Sequence, residues 1–85
     1  MNPRVTKVAP MNDYTLFLTF TNGDERVFDM KPYLEKGMFQ ELKNPSLFRS
    51  VTVFLGSIRW ENGLDLCPDT LYLESIKSES VPTIH

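Results

Sequence analysis

The 85-residue sequence predicts one small α+β domain: an antiparallel sheet of about five short strands, a short helical crossover over about 30–49 and a short C-terminal helix over about 68–75. Three observations predict it. Apolar and polar residues alternate from Tyr14 to Phe20 with one aromatic exception, the mark of a half-buried strand. Asn22-Gly23 separates that strand from a second apolar run, and Asn-Gly signals a hairpin because both residues tolerate positive φ. The middle of the chain then changes period: Phe39 and Leu42 stand at i, i+3 spacing among Gly and Pro breaks, in pieces too short to be stable helices alone.

Taken in order, Arg4 to Pro10 is a first strand built on β-branched Val5 and Val8, with Pro10 expected to end it. Met11-Asn12-Asp13 is a turn. The first hairpin, Tyr14–Met30, follows, and its loop length decides its register. A two-residue loop pairs Leu16 with Asp29 and sets a carboxylate among apolar residues, which costs several kcal/mol. A three-residue loop, Thr21 to Gly23 with Gly23 left-handed, pairs Leu16 with Phe28 and Tyr14 with Met30. Tyr14, Leu16, Leu18, Phe20, Phe28 and Met30 then form the core face. Thr15, Phe17, Thr19, Glu25, Val27 and Asp29 form the outer face.

Asp29 is placed to cap the first helical piece, with Pro32 in its first turn, and Gly37 ends that piece. Asn44-Pro45 reads as a cap and first helical position for a turn through Phe48. Ser50 to Leu55 is a fourth strand, Gly56-Ser57 a turn, Ile58 to Trp60 a fifth strand and Glu61-Asn62-Gly63 another turn. Pro68 opens the terminal helix. Residues 1–76 form the single domain, and the polar, Pro82-containing segment 77–85 is expected to be a mobile tail. No internal repeat is evident.

Composition narrows the function. A net charge of −2 with scattered Lys and Arg argues against direct nucleic-acid binding, whose affinity rests on phosphate neutralisation. The single cysteine, Cys67, excludes an internal disulfide. There is no apolar leader and no run long enough to span a bilayer, so a cytoplasmic protein away from membranes is expected.

Val8-Ala9-Pro10, Leu18-Thr19-Phe20-Thr21-Asn22-Gly23, Val27-Phe28-Asp29 and Gly37-Met38-Phe39 come in a particular order. Leu42, Phe48 and the segment Ile58 to Tyr72 complete the series. In that order and spacing, over roughly residues 4 to 75, the chain resembles the bacterial family catalogued as domain of unknown function 2442. Its most specific part is Trp60-x-x-Gly63-x-Asp65-x-x-Pro68-Asp69-x-Leu71-Tyr72. The resemblance implies a small α+β domain with an antiparallel sheet and a helical crossover, and no established activity. Some members carry a helix-turn-helix domain, which is not expected in this chain after residue 75. Others lie beside or are fused to a second small family, an arrangement that looks like a toxin–antitoxin pair.

No catalytic constellation is recognised, and neither an enzyme nor a cofactor is expected. Cys67 has only His85 as an imidazole partner, on the expected tail, and reads as a small buried apolar residue. Zinc and calcium ligand patterns are missing from the sequence. The candidate interaction surface is Phe17 and Val27 on the outer face of the hairpin, together with Trp60, Glu61, Asp65 and Asp69. The last four either bind a cation or basic partner, or serve as core, turn and cap, with Asp65 or Asp69 capping the final helix. Phe17 and Val27 are either covered by the central helices or free to associate. The leading expectation is a non-enzymatic protein-interaction domain, through a protein partner or self-association, in the antitoxin-like place of a two-protein module. The alternatives are a small-ligand or cation-binding domain using Trp60–Tyr72 and, least favoured, an enzyme.

Overall fold

The structure, a computed structural model, describes residues 2–77. The chain runs β1 (Val5–Met11), β2 (Thr15–Phe20), β3 (Glu25–Asp29), α1 (Pro45–Phe48), β4 (Thr52–Phe54), β5 (Ser57–Arg59), β6 (Asp65–Leu66), α2 (Pro68–Glu74) and β7 (Ile76–Lys77). Short 3-10 segments stand at Asn12–Tyr14, Lys31–Tyr33 and Gly37–Lys43. The α+β class is as expected, but the strands divide into two antiparallel sheets, ordered β1-β2-β3-β7 and β4-β5-β6.

The first hairpin has the three-residue loop. Leu16 faces Phe28 and Phe17 faces Val27. The Phe20 N–H donates to the Asp24 carbonyl and the Gly23 N–H to the Phe20 carbonyl, each at 2.9 Å, with Gly23 at φ +88°. Asp29 is thereby kept at the surface, where its carboxylate accepts the Lys31 N–H at 2.9 Å and opens the crossover. The loop from Trp60 to Leu64 repeats the same device. Trp60 N–H donates to the Leu64 carbonyl, Gly63 N–H to the Trp60 carbonyl, and Gly63 stands at φ +89°. In both loops the Asn side chain accepts from the residue after the glycine, Asp24 at 3.0 Å and Leu64 at 3.1 Å. The two Asn-Gly turns are one local solution used twice, because aromatic-x-Asn-Gly supplies the anchor, the Asx bond and the left-handed residue together.

Several boundaries differ from the sequence reading: β4 and β5 are shorter or shifted, Gly37 opens a 3-10 segment rather than ending one, and three further differences have a local reason. Pro10 lies inside β1 rather than ending it; β1 is the edge of its sheet, where a missing N–H has no ladder partner to lose. Tyr14 belongs to the turn, at φ +57°, beside Asp13 at φ +64°. It keeps its core role at the rim: its carbonyl accepts from Met30 N–H, its hydroxyl donates to the Lys43 carbonyl, and its ring meets Phe48 edge-on. The β4–β5 turn is Leu55-Gly56 rather than Gly56-Ser57, since Phe54 pairs with Ser57.

Leu16, Leu18, Phe20, Phe28 and Met30 from the hairpin meet Leu34 and Leu42 of the crossover, Phe48 of α1, Ile58 of β5, Trp60 just after it and Leu71 of α2. The central helices therefore lie on the core face of the first sheet. Asn44 caps α1 as expected, accepting the Ser46 N–H at 3.0 Å ahead of Pro45. Apart from Lys77, which pairs with Arg26 in β7, the expected tail lies outside the described residues.

Candidate interaction surfaces

The segment Trp60–Tyr72 does not gather its acidic residues into one site. Trp60 is core: 1% of it is exposed, and its indole N–H donates to the Phe48 carbonyl at 3.0 Å. Glu61 is exposed beside the turn, its N–H donating to the Ser50 hydroxyl at 3.2 Å. Asp65 is exposed opposite Arg59 in the β5–β6 ladder. Asp69 is exposed in the first turn of α2, where a negative charge suits the helix dipole, and accepts from the Asn2 amide at 3.3 Å. Neither Asp65 nor Asp69 caps α2; the cap position is Cys67, which makes no side-chain capping bond. Cys67 itself is exposed rather than buried, because the chain leaves β6 at the surface before Pro68 turns it into the helix. Among the described residues, no three His, Cys, Asp or Glu side chains are grouped to hold a metal ion.

The most connected polar cluster escaped the sequence reading. The Tyr72 hydroxyl donates to the Asp24 carboxylate at 2.7 Å, and the Arg26 guanidinium lies 3.9 Å from the centre of the Tyr72 ring. Arg26 also donates to the Tyr72 and Ser75 carbonyls at 3.3 and 3.4 Å and pairs with Asp24 at 3.4 Å. The Tyr72 hydrogen bond, ahead of those from Asn22 and Arg26, holds the Asp24 carboxyl below the usual carboxylate range. Nearby on the same helix, Glu74 accepts from the Tyr33 hydroxyl at 2.5 Å and pushes that phenol up to about 12. These bonds lock α2 to the first hairpin and the crossover. Among the described residues, the one buried side-chain polar atom without a hydrogen-bond partner is Arg26 Nε, within this cluster.

Besides the singly exposed Met38 and Leu73, two apolar surfaces remain among the described residues. On the outer face of the first sheet, Ala9, Phe17, Val27 and Ile76 stand directly opposite one another across all four strands. Phe17 and Val27 are half-buried, Ile76 is 57% exposed, and none belongs to the core cluster. The crossover covers the other face, so it does not provide the layer that would hide them.

The second surface was missed. Val53, Phe54 and Leu55 project from the β4–β5 hairpin with 38%, 44% and 81% exposure. The Arg59 guanidinium lies 4.8 Å from the centre of the Phe54 ring. Phe54, Arg59 and Glu61 share a hollow of about 320 Å³ with Ser50, Thr52 and Trp60. The run Val51 to Leu55 reads as continuous strand, and only the one-residue shift of the turn puts Leu55 at its tip.

A family model described as protein of unknown function (DUF2442) matches residues 5–77. No curated protein and no solved structure matches the chain. Among the described residues, no helix is long and apolar enough to cross a membrane.

Proposed function

Because the chain belongs to the DUF2442 family, whose description assigns no activity, we propose its role from its surface: a non-enzymatic domain that binds another protein through the tip of the β4–β5 hairpin. Leu55 carries this reading. It is 81% exposed and stands at φ +50°, followed by Gly56 at φ +78°. A two-residue turn with both residues at positive φ favours Asn or Gly at its first position. Leucine there costs roughly 1–2 kcal/mol in backbone strain and exposes an apolar side chain as well. Strain of this kind concentrates at binding sites.

Phe54 widens the patch, and Arg59 gives it a cationic border. A phenylalanine beside an arginine has the composition of an interface centre. The finer form of the reading is the antitoxin-like member of a two-protein module, acting in the cytoplasm and meeting nucleic acid, if at all, through its partner. The net charge of −2 and the exposed free thiol of Cys67 support that form.

The test separates binding from folding. The tagged chain is used to capture a partner from the source cells. That partner is purified and the binary affinity measured by calorimetry for wild type and Leu55→Asn. Asparagine suits the turn, so the variant is expected to unfold at higher urea yet bind at least about tenfold more weakly. A variant that retains full affinity overturns the hairpin tip as the binding site. A chain that captures no partner overturns the reading.

A further inference from the structure

We propose that the outer face of the first sheet packs against the same face of a second copy, about a two-fold axis running along β2. This surface is separate from the hairpin tip. A residue on such an axis meets its own copy, so a charge there repels itself. The outward residues of β2 are Thr15, Phe17 and Thr19, all uncharged. An axis along β3 sets Glu25 on Glu25 and Asp29 on Asp29, and one along β1 sets Lys7 on Lys7.

An axis along β2 exchanges β1 and β3 instead. Lys7, Thr19 and Glu25 lie in one row across these strands, so Lys7 of each copy faces Glu25 of the other, twice by symmetry. In the next row Ala9 faces Val27, a small side chain against a larger one, while Phe17 meets Phe17 at the centre. Asp29 brings no unpaired carboxylate to the third row, because Lys31 holds it at 3.1 Å. Apolar rows of this kind interdigitate when two sheets pack face to face.

Sedimentation of the full chain at low salt tests the arrangement, since salt screens exposed pairs. Wild type is expected to dimerise, and Phe17→Asp to sediment as a folded monomer, Phe17 lying outside the core. Lys7→Glu is expected to weaken the dimer about tenfold, with Lys7→Glu/Glu25→Lys recovering most of the loss. These charge variants keep the test decisive should Phe17→Asp misfold. A wild-type chain that stays monomeric at millimolar concentration overturns the proposal, as does a charge reversal that the second substitution does not rescue. Leu55→Asn is expected to leave the dimer unchanged; dissociation by that variant instead assigns self-association to the hairpin tip and overturns the sheet face.

Discussion

The Tyr72 hydroxyl and the Asp24 carboxylate meet at 2.7 Å across 48 residues of chain, closing α2 onto the first hairpin turn. Because the bond favours the ionised carboxylate, Asp24 titrates below its ordinary value of 3.8 in the folded chain. A depressed carboxyl contributes stability that is present above the unfolded value and is lost as pH falls through the folded one. The melting temperature is therefore expected to fall on acidification below about pH 4. Tyr72→Phe keeps the ring under Arg26 but removes the donor. It is expected to lower the melting temperature at neutral pH and to flatten the acid limb; an unchanged limb assigns acid sensitivity to other carboxyls.

Tyr33 and Glu74 give the opposite sign. The Tyr33 phenol is pushed up to about 12 chiefly by donating to Glu74. A raised phenol contributes stability that is present below its unfolded value and is lost as pH rises through the folded one. Ultraviolet titration of phenolate absorbance is expected to show one tyrosine ionising near 12. In Glu74→Gln that step is expected to move down toward the ordinary 10.0.

Local chemistry was legible where one short stretch contains its own reason. Asn44-Pro45 caps α1, and Asn22-Gly23 sets the first turn, as the residues themselves require. The hairpin register followed from a single carboxylate, Asp29, that had to stay in water. What was not legible depends on distant partners. β6 and β7 are two residues each and exist as strands only through β5 and β3. The acidic composition of Trp60–Tyr72 was visible, but not that its carboxylates stand apart. The hairpin tip was hidden because Leu55 continues the apolar run from Val51 yet stands, against its preference, in a left-handed turn.

Two glycines should differ in what they tolerate. Gly63 stands at φ +89° with open space where a Cβ would go, so Gly63→Ala meets only the left-handed penalty, roughly 1–2 kcal/mol. Gly56 stands at φ +78°, and a Cβ there would lie 2.7 Å from Arg4 Cδ. Its carbonyl also accepts the Val5 N–H at 2.9 Å, joining the β4–β5 turn to β1. Gly56→Ala is expected to cost more than Gly63→Ala in urea unfolding. Equal costs would show that Arg4 moves aside freely.

Trp60 is the residue on which the second sheet, the crossover and α1 converge. It is fully buried, packs against Phe48 and satisfies the Phe48 carbonyl. As the only tryptophan it also reports on the fold, with blue-shifted emission expected in the native state and a red shift on unfolding. Trp60→Phe retains most of the volume but leaves that carbonyl without its donor, an expected loss of about 1–3 kcal/mol. Trp60→Ala adds a cavity and is expected to cost about 3–5 kcal/mol. That approaches the whole stability of a chain this short, roughly 5 kcal/mol. Far-UV circular dichroism at 25 °C should therefore show Trp60→Phe folded and Trp60→Ala largely unfolded. A well-folded Trp60→Ala chain would mean that the two sheets are held together elsewhere, at Gly56 and β1.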